Sequence, residues 1–116
     1  MQHYRKLSEK EKKLLSVLID KSELKVTQNQ LNNIMVREMD DGKMGSLILY
    51  PDSSTDYNEK RVFGKQISDH SFEDSDGAKV IASLYIDKKG NLFELDIWKT
   101  DFSALISIPD NFTEMK

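Results

Sequence analysis

The chain has 116 residues, 38% of them hydrophobic and 32% charged, with a formal net charge of -3 and no cysteine. This is the size of one domain with a single core, expected over residues 1–116. The composition excludes a disulfide framework, a thiolate zinc site and a cysteine nucleophile, and fits a reducing compartment, so a cytoplasmic protein is expected.

The opening Met1-Gln-His-Tyr-Arg-Lys-Leu-Ser-Glu lacks the apolar segment of a cleaved signal, and no window approaches the roughly 18 apolar residues of a membrane span. Residues 1–25 hold seven basic groups against four acidic ones, a net +3 that leaves -6 for the remainder. A basic helix therefore leads an acidic body. Nucleic-acid binding would require a basic stripe with interleaved aromatics, which a pI near 5.4 does not favour.

Ser8-Glu9-Lys10-Glu11 has the form of a capping box and predicts a helix start. Leu14, Leu15, Leu18 and Ile19 recur at three- and four-residue spacing and give that helix one apolar stripe. Thr27 is a candidate cap for a second, short helix ending near Asn33.

The pattern then turns to β. Ile34 to Met39 and Ser46 to Tyr50 flank the turn DDGKMG and predict a hairpin. Residues 51–59 are polar and hold a proline, as a surface loop does. Arg61 to Phe72 is a long candidate strand whose apolar positions change parity between Ile67 and Phe72, and Gly64 is one place for the bulge that would repair it. Asp76-Gly77 and Lys89-Gly90-Asn91 are turn sequences that bound a strand over 78–87 and lead into a last one, completing a three-strand meander. The expected fold is α+β: an amphipathic N-terminal helix packed on an antiparallel sheet of about five strands.

The last strand, NLFELDIWK, holds two carboxylates inside the most apolar stretch of the chain. Alternation puts Phe93, Leu95 and Ile97 on the core face, and Leu92, Glu94, Asp96 and Trp98 on the opposite one. Glu94 and Asp96 then face solvent or a partner, roughly 6.6 Å apart by strand rise. Paired carboxylates at such a distance also occur in glycosidases, but every second-neighbour acidic pair on a strand shares the spacing. The only tryptophan, Trp98, lies on the same face. It is either an exposed anchor beside the carboxylates or is covered by the C-terminal segment, whose Phe102, Leu105, Ile106 and Ile108 also need burial.

Other chemistry finds little support. Asp74, Asp76 and Gly77 imitate part of a calcium loop, but an EF-hand aligned on that glycine would begin at Phe72 and end at Ser83, which supplies no bidentate carboxylate. His3 and His70 lack metal-ligand spacing, and no nucleophile elbow, P-loop or dinucleotide fingerprint occurs. Neither an enzyme nor a cofactor is expected. Asp69, Glu73, Asp74 and Asp76 cluster within eight residues without an intervening Lys or Arg, and Asp40 and Asp41 mark the other hairpin turn. They read as solubilising edge and turn residues, or as an acidic surface that steers a basic protein.

The segments RKLSEKEKKLL, DDGKMGSL, FGKQISDHSFEDSDG and SLYIDKKGNLFELDIWKTDFSALISIP resemble a small bacterial domain family. Its members carry an MGS-L hairpin and end in a D-x-x-G-x-L-x-E-L-D-I-W-K-x-D-F-S-x-L-I-x-I-P block. The resemblance covers most of the chain, with 24–36 and 51–60 matching least. It places the chain among proteins found beside polymorphic and contact-dependent growth inhibition toxins, and so implies an immunity role without catalytic residues. The partner implied is a cognate toxin domain, a basic nuclease. Apart from the resemblance, no direct nucleic-acid or membrane contact is expected, and a monomer is the favoured oligomeric state. Partner-binding candidates are Asp40, Asp41, Asp69, Glu73, Asp74, Asp76, Glu94, Asp96 and Trp98. A protein-binding adaptor without a toxin is the alternative. An enzyme using Glu94 and Asp96 would require them to line a concave pocket.

Overall fold

The computed structural model describes residues 4–51 and 61–109. Most of the expected 51–59 loop, together with His3, lies outside them. A short strand β1 (Tyr4–Lys6) precedes helix α1 (Glu9–Asp20), the short helix α2 (Gln28–Asn33) and strands β2 (Met35–Glu38) and β3 (Leu47–Tyr50). The meander follows as β4 (Phe63–Glu73), β5 (Lys79–Asp87) and β6 (Leu92–Lys99). All strand pairs are antiparallel, in the order β1-β2-β3-β6-β5-β4. The class is the expected α+β, with six strands instead of about five.

The additional strand is β1, three residues too short to show periodicity in sequence. It is held by pairing to β2 and by Arg5, whose guanidinium donates to both Glu11 carboxylate oxygens at 2.8 and 2.9 Å. Glu11 also closes the capping box, accepting from the Ser8 amide while Ser8 Oγ accepts from its own. Burial works to raise the Glu11 carboxyl, but Arg5 and the Ser8 amide override it and hold it below its ordinary range. One carboxylate thus caps α1 and ties it to the sheet edge. Thr27 caps α2 in the same way.

Leu14, Leu15 and Leu18 of α1 are fully buried, and the helix lies against β4 and β5. The sheet supplies Val36, Leu47, Leu49, Val80, Ala82, Leu84, Leu95 and Ile97 to the same core. Ser68 Oγ donates to the Leu18 carbonyl and adds a polar tie between β4 and α1.

Bulges adjust the pattern. The register of β4 on β5 shifts at Gly64 and again at Ile67. A Cβ at Gly64 would lie 2.6 Å from the Asp87 carbonyl oxygen, so glycine is required there by close backbone approach. The second shift turns Ile67 toward the core, beside the buried Phe72. A third shift sets Leu92 opposite Ile86, and it corrects the expected faces of β6: Leu92 is buried, whereas Phe93 is only half-buried.

Lys99 continues the alternation of Leu95 and Ile97 inward and has no exposed surface. Its ammonium lies 2.9 Å from Asp74 Oδ2 and 2.6 Å from Asp76 Oδ2, and it donates to the Ala104 carbonyl at 3.1 Å. Asp74 accepts further from the amides of Ser75, Ile106 and Ser107. Burial works to raise its carboxyl, but these amides and Lys99 override it and hold it at about 2. The depressed value gives stability that is present above the ordinary carboxylate range and lost as pH falls from about 4 through about 2. Asp74→Asn leaves a buried ammonium short of charge, and it is expected to lower Tm by about 10 °C or more while flattening this acid limb. Thermal unfolding followed by circular dichroism from pH 7 to pH 2 measures both effects.

Candidate functional site

The helices occupy one face of the sheet. On the other face, register sets Tyr4, Arg37, Ile48, Glu94 and Tyr85 in one row across five strands. Asp96, Ser83 and Asp69 form the next, and Trp98, Ile81 and Ser71 the one after. Among the described residues, no helix packs on these rows.

Glu94 and Asp96 project from β6 on this face and are half-buried. No ion pair joins either to a Lys, Arg or His among the described residues. Burial, the hydrogen bond that the protonated Glu94 carboxyl donates to Asp96, and the Asp96 charge together push the Glu94 carboxyl up to about 7. Glu94 therefore holds a proton near neutral pH. Tyr85, opposite Glu94, has its phenol pushed up by burial and by the charges of Asp96, Glu94 and Asp69. Asp69 is exposed on β4 and accepts from Gln66 Nε2 at 3.2 Å.

Trp98 is 46% exposed, and Phe102, 71% exposed, packs on one flank of it at 6.0 Å between ring centroids. Of the four apolar residues expected to bury themselves after β6, Ile108 does so and Leu105 packs on the core, whereas Phe102 and Ile106 stay exposed. Phe102 is held there by its turn. Its amide donates to the Lys99 carbonyl, its backbone adopts a φ of 66°, and Asp101 accepts from both the amide and the hydroxyl of Ser103. A bulky residue in the left-handed region is uncommon and is maintained only where its surroundings determine it. Those Ser103 bonds hold the Asp101 carboxyl below its ordinary value. The result is an aromatic pair beside a carboxyl pair on a sheet face that no helix covers among the described residues.

The other sequence candidates lie elsewhere. Asp74 is 3% exposed, and its oxygens are committed to Lys99 and three amides, so it presents nothing to a partner. Asp76 binds Lys99 and caps its own turn through the Ala78 amide, where Gly77 takes a φ of 87°. Glu73 is exposed at the far end of β4, opposite Lys79. Asp41 accepts from the amides of Met44 and Ser46 and shapes the β2–β3 turn, next to an exposed Asp40. The structure thus gathers Glu94, Asp96, Asp69 and Trp98 on one face, with Glu73 at the far end of that face two residues beyond Ser71, and separates them from Asp40, Asp41, Asp74 and Asp76.

Sequence reading missed Phe102 and Tyr85 as members of the face. The alternation that made Trp98 outward already carried a signal for Tyr85. None existed for Phe102, whose exposure depends on the turn held by Lys99.

No cluster of three or more His, Cys, Asp or Glu side chains suited to a metal ion occurs among the described residues. A cleft of about 580 Å³ lies elsewhere, between the end of α1 and β4, lined in part by Lys21, Glu23, Lys65 and Ile67. Glu94 and Asp96 are not part of its lining.

The raised Glu94 value sets a stability dependence of opposite sign to that of Asp74. Between its ordinary 4.5 and about 7 the folded chain binds more protons than the unfolded one, so stability falls as pH rises through that window. Glu94→Gln removes this slope, and Asp96→Asn moves the Glu94 midpoint downward. Carboxyl ¹³C shifts followed by NMR from pH 4 to pH 9 show whether the midpoint lies near neutrality.

No helix of the described residues is long and apolar enough to cross a membrane. No curated protein and no solved structure matches the chain. A family model described as a domain of unknown function, DUF6984, matches residues 4–109 from β1 to the end of the C-terminal segment, and the chain belongs to that family.

Proposed function

We propose that this chain is a protein-binding module that holds a basic partner on the open face of its sheet, and that the partner is a toxin domain which it neutralises stoichiometrically. The observation that carries the docking reading is the exposed Trp98–Phe102 pair beside Glu94 and Asp96, carboxyl groups with no cation paired to them among the described residues. Exposed aromatics supply contact area at low conformational cost and are enriched among residues that dominate binding energy. Carboxylates around them select cations and speed encounter with a basic surface. A nuclease domain presents such cations where it grips phosphates, and an acidic face laid over that groove takes the phosphates' place. The toxin identity rests on the family resemblance of the DDGKMGSL and NLFELDIWKTDFSALISIP segments, and the surface supports it by its chemistry. The reading assigns no catalytic step to Glu94 or Asp96.

Co-expression with the product of the gene immediately upstream, followed by pull-down and a growth assay, tests the proposal. A stoichiometric complex that restores growth is expected. Trp98→Ala should then weaken binding by about 2 kcal/mol, some thirtyfold. Glu94→Lys with Asp96→Lys should weaken it further at low salt, whereas Glu9→Lys on the helical side should leave it unchanged. A complex insensitive to Trp98 and to both carboxyl groups would place the interface elsewhere. A partner that is not toxic would assign the chain to the adaptors.

A further inference from the structure

We propose that docking on this face is an exchange of cations: a lysine or arginine of the basic partner settles over Glu94 and Asp96 and displaces to solvent the proton that Glu94 holds against Asp96. This rests on the docking reading and adds its regulation.

The geometry carries the inference. Glu94 and Asp96 are second neighbours on one face of β6, so their carboxyl groups approach side by side, in hydrogen-bond contact and half-buried. The groups facing them from the adjoining strands do not relieve the crowding. On β5 they meet Tyr85 and Ser83, which carry no positive charge, and on β4 the further carboxylate of Asp69. On the β3 side Glu94 meets Ile48, and Trp98 is their neighbour along β6. The nearest cation by register is Arg37 on β2, on the far side of Ile48 and roughly 10 Å away by strand spacing. No ion pair joins it to the carboxyl groups. Two like charges in contact, with no cation beside them among the described residues, are relieved by retaining a proton or by acquiring an external positive charge. The exposed rings of Trp98 and Phe102 flank the same spot and suit the apolar stem of a long basic side chain, with a guanidinium or ammonium over a ring face.

The raised Glu94 carboxyl fixes the size of the effect. With a midpoint near 7 in the free chain and well below it in the complex, the dissociation constant should rise roughly tenfold between pH 8 and pH 6, with about half a proton released per complex at pH 7. Calorimetric titration of the full chain with a synthetic octa-arginine peptide at low salt, in two buffers of different ionisation enthalpy, reads both quantities. Glu94→Gln should bind with little pH dependence and no proton release. Because Asp96→Asn leaves one carboxyl group in an uncrowded site, it should give the same flat profile. Wild-type binding of the peptide without a pH slope or proton release would overturn the exchange and leave the docking reading intact. Absence of binding at pH 8 and low salt would remove the docking reading and the exchange with it. A slope that survives in both variants would assign the proton to another group and overturn the proposal.

Discussion

A lysine with no exposed surface is the constraint on which the far end of this molecule depends. Burying an ammonium is costly unless charge and hydrogen bonds replace the water it loses, and Lys99 is supplied with two carboxylates and a carbonyl. Each of these acceptors belongs to a segment that must therefore stay in place. Asp74 and Asp76 come from the β4–β5 turn, and Ala104 from the C-terminal segment. Asp74 in turn binds the amides of Ile106 and Ser107, so that segment is tied at three points along its length. Between Lys99 and Ala104 the chain has room only for a tight turn. Phe102 occupies its left-handed position, and this is what sets its ring on Trp98. The buried charge on one side of β6 thus determines the aromatic pair on the other.

A second constraint acts at the middle of the sheet. The β1–β2–β3 half and the β6–β5–β4 half are joined by two paired positions only, Leu47 with Leu95 and Ile48 with Glu94. Side chains complete the seam where backbone pairing stops. The Ser46 hydroxyl accepts from the Ile97 amide at 2.8 Å and donates to the carbonyl of the same residue at 3.2 Å. At the opposite end the Arg61 guanidinium donates to the carbonyls of Leu49 and Leu92, with Tyr50 and Phe93 beneath it and the Asp87 carboxylate 3.4 Å from Nε. Glu94 lies in one of the two paired positions, so the sheet face that carries it is anchored where the halves meet. Arg61 has to be an arginine in this account, because a lysine lacks the planar fork that reaches two carbonyls at once.

Much of this was legible in the chain. Ser8 with Glu11 marked the start of α1, the DG and GN turns marked the strand ends, and the parity change in 61–72 called for a bulge: one shift falls at the expected Gly64, but the one that brings Ile67 to the side of Phe72 falls at Ile67. Alternation along β6 set Glu94, Asp96 and Trp98 on a common face before any coordinates. What escaped was set by distance in sequence. β1 exists because Arg5 reaches Glu11 and because β2 pairs with it 29 to 33 residues on, and three residues carry no period of their own. Asp74 read as surface charge because nothing local announces a buried ammonium 25 residues later. Lys99 was accessible to the same alternation that placed Ile97 inward, but a lysine overrides that inference by its usual habit of solvation.

The two acidic groups of the C-terminal half that looked alike in sequence, Asp74 and Glu94, are opposites in energy. Both are withdrawn from water to some degree, but Asp74 meets a cation and three amides, and its ionised form is the stable one. Glu94 meets another carboxyl group, and its ionised form is the costly one. A structural carboxylate is completed by its own chain, whereas Glu94 and Asp96 meet no cation among the described residues. Folding alone would remove that cost by a single substitution to glutamine, which fits the same strand position and needs no partner. Beside two exposed aromatic rings, a carboxyl pair with no cation among the described residues fits the proposed interaction surface better than a part in the stability of the sheet.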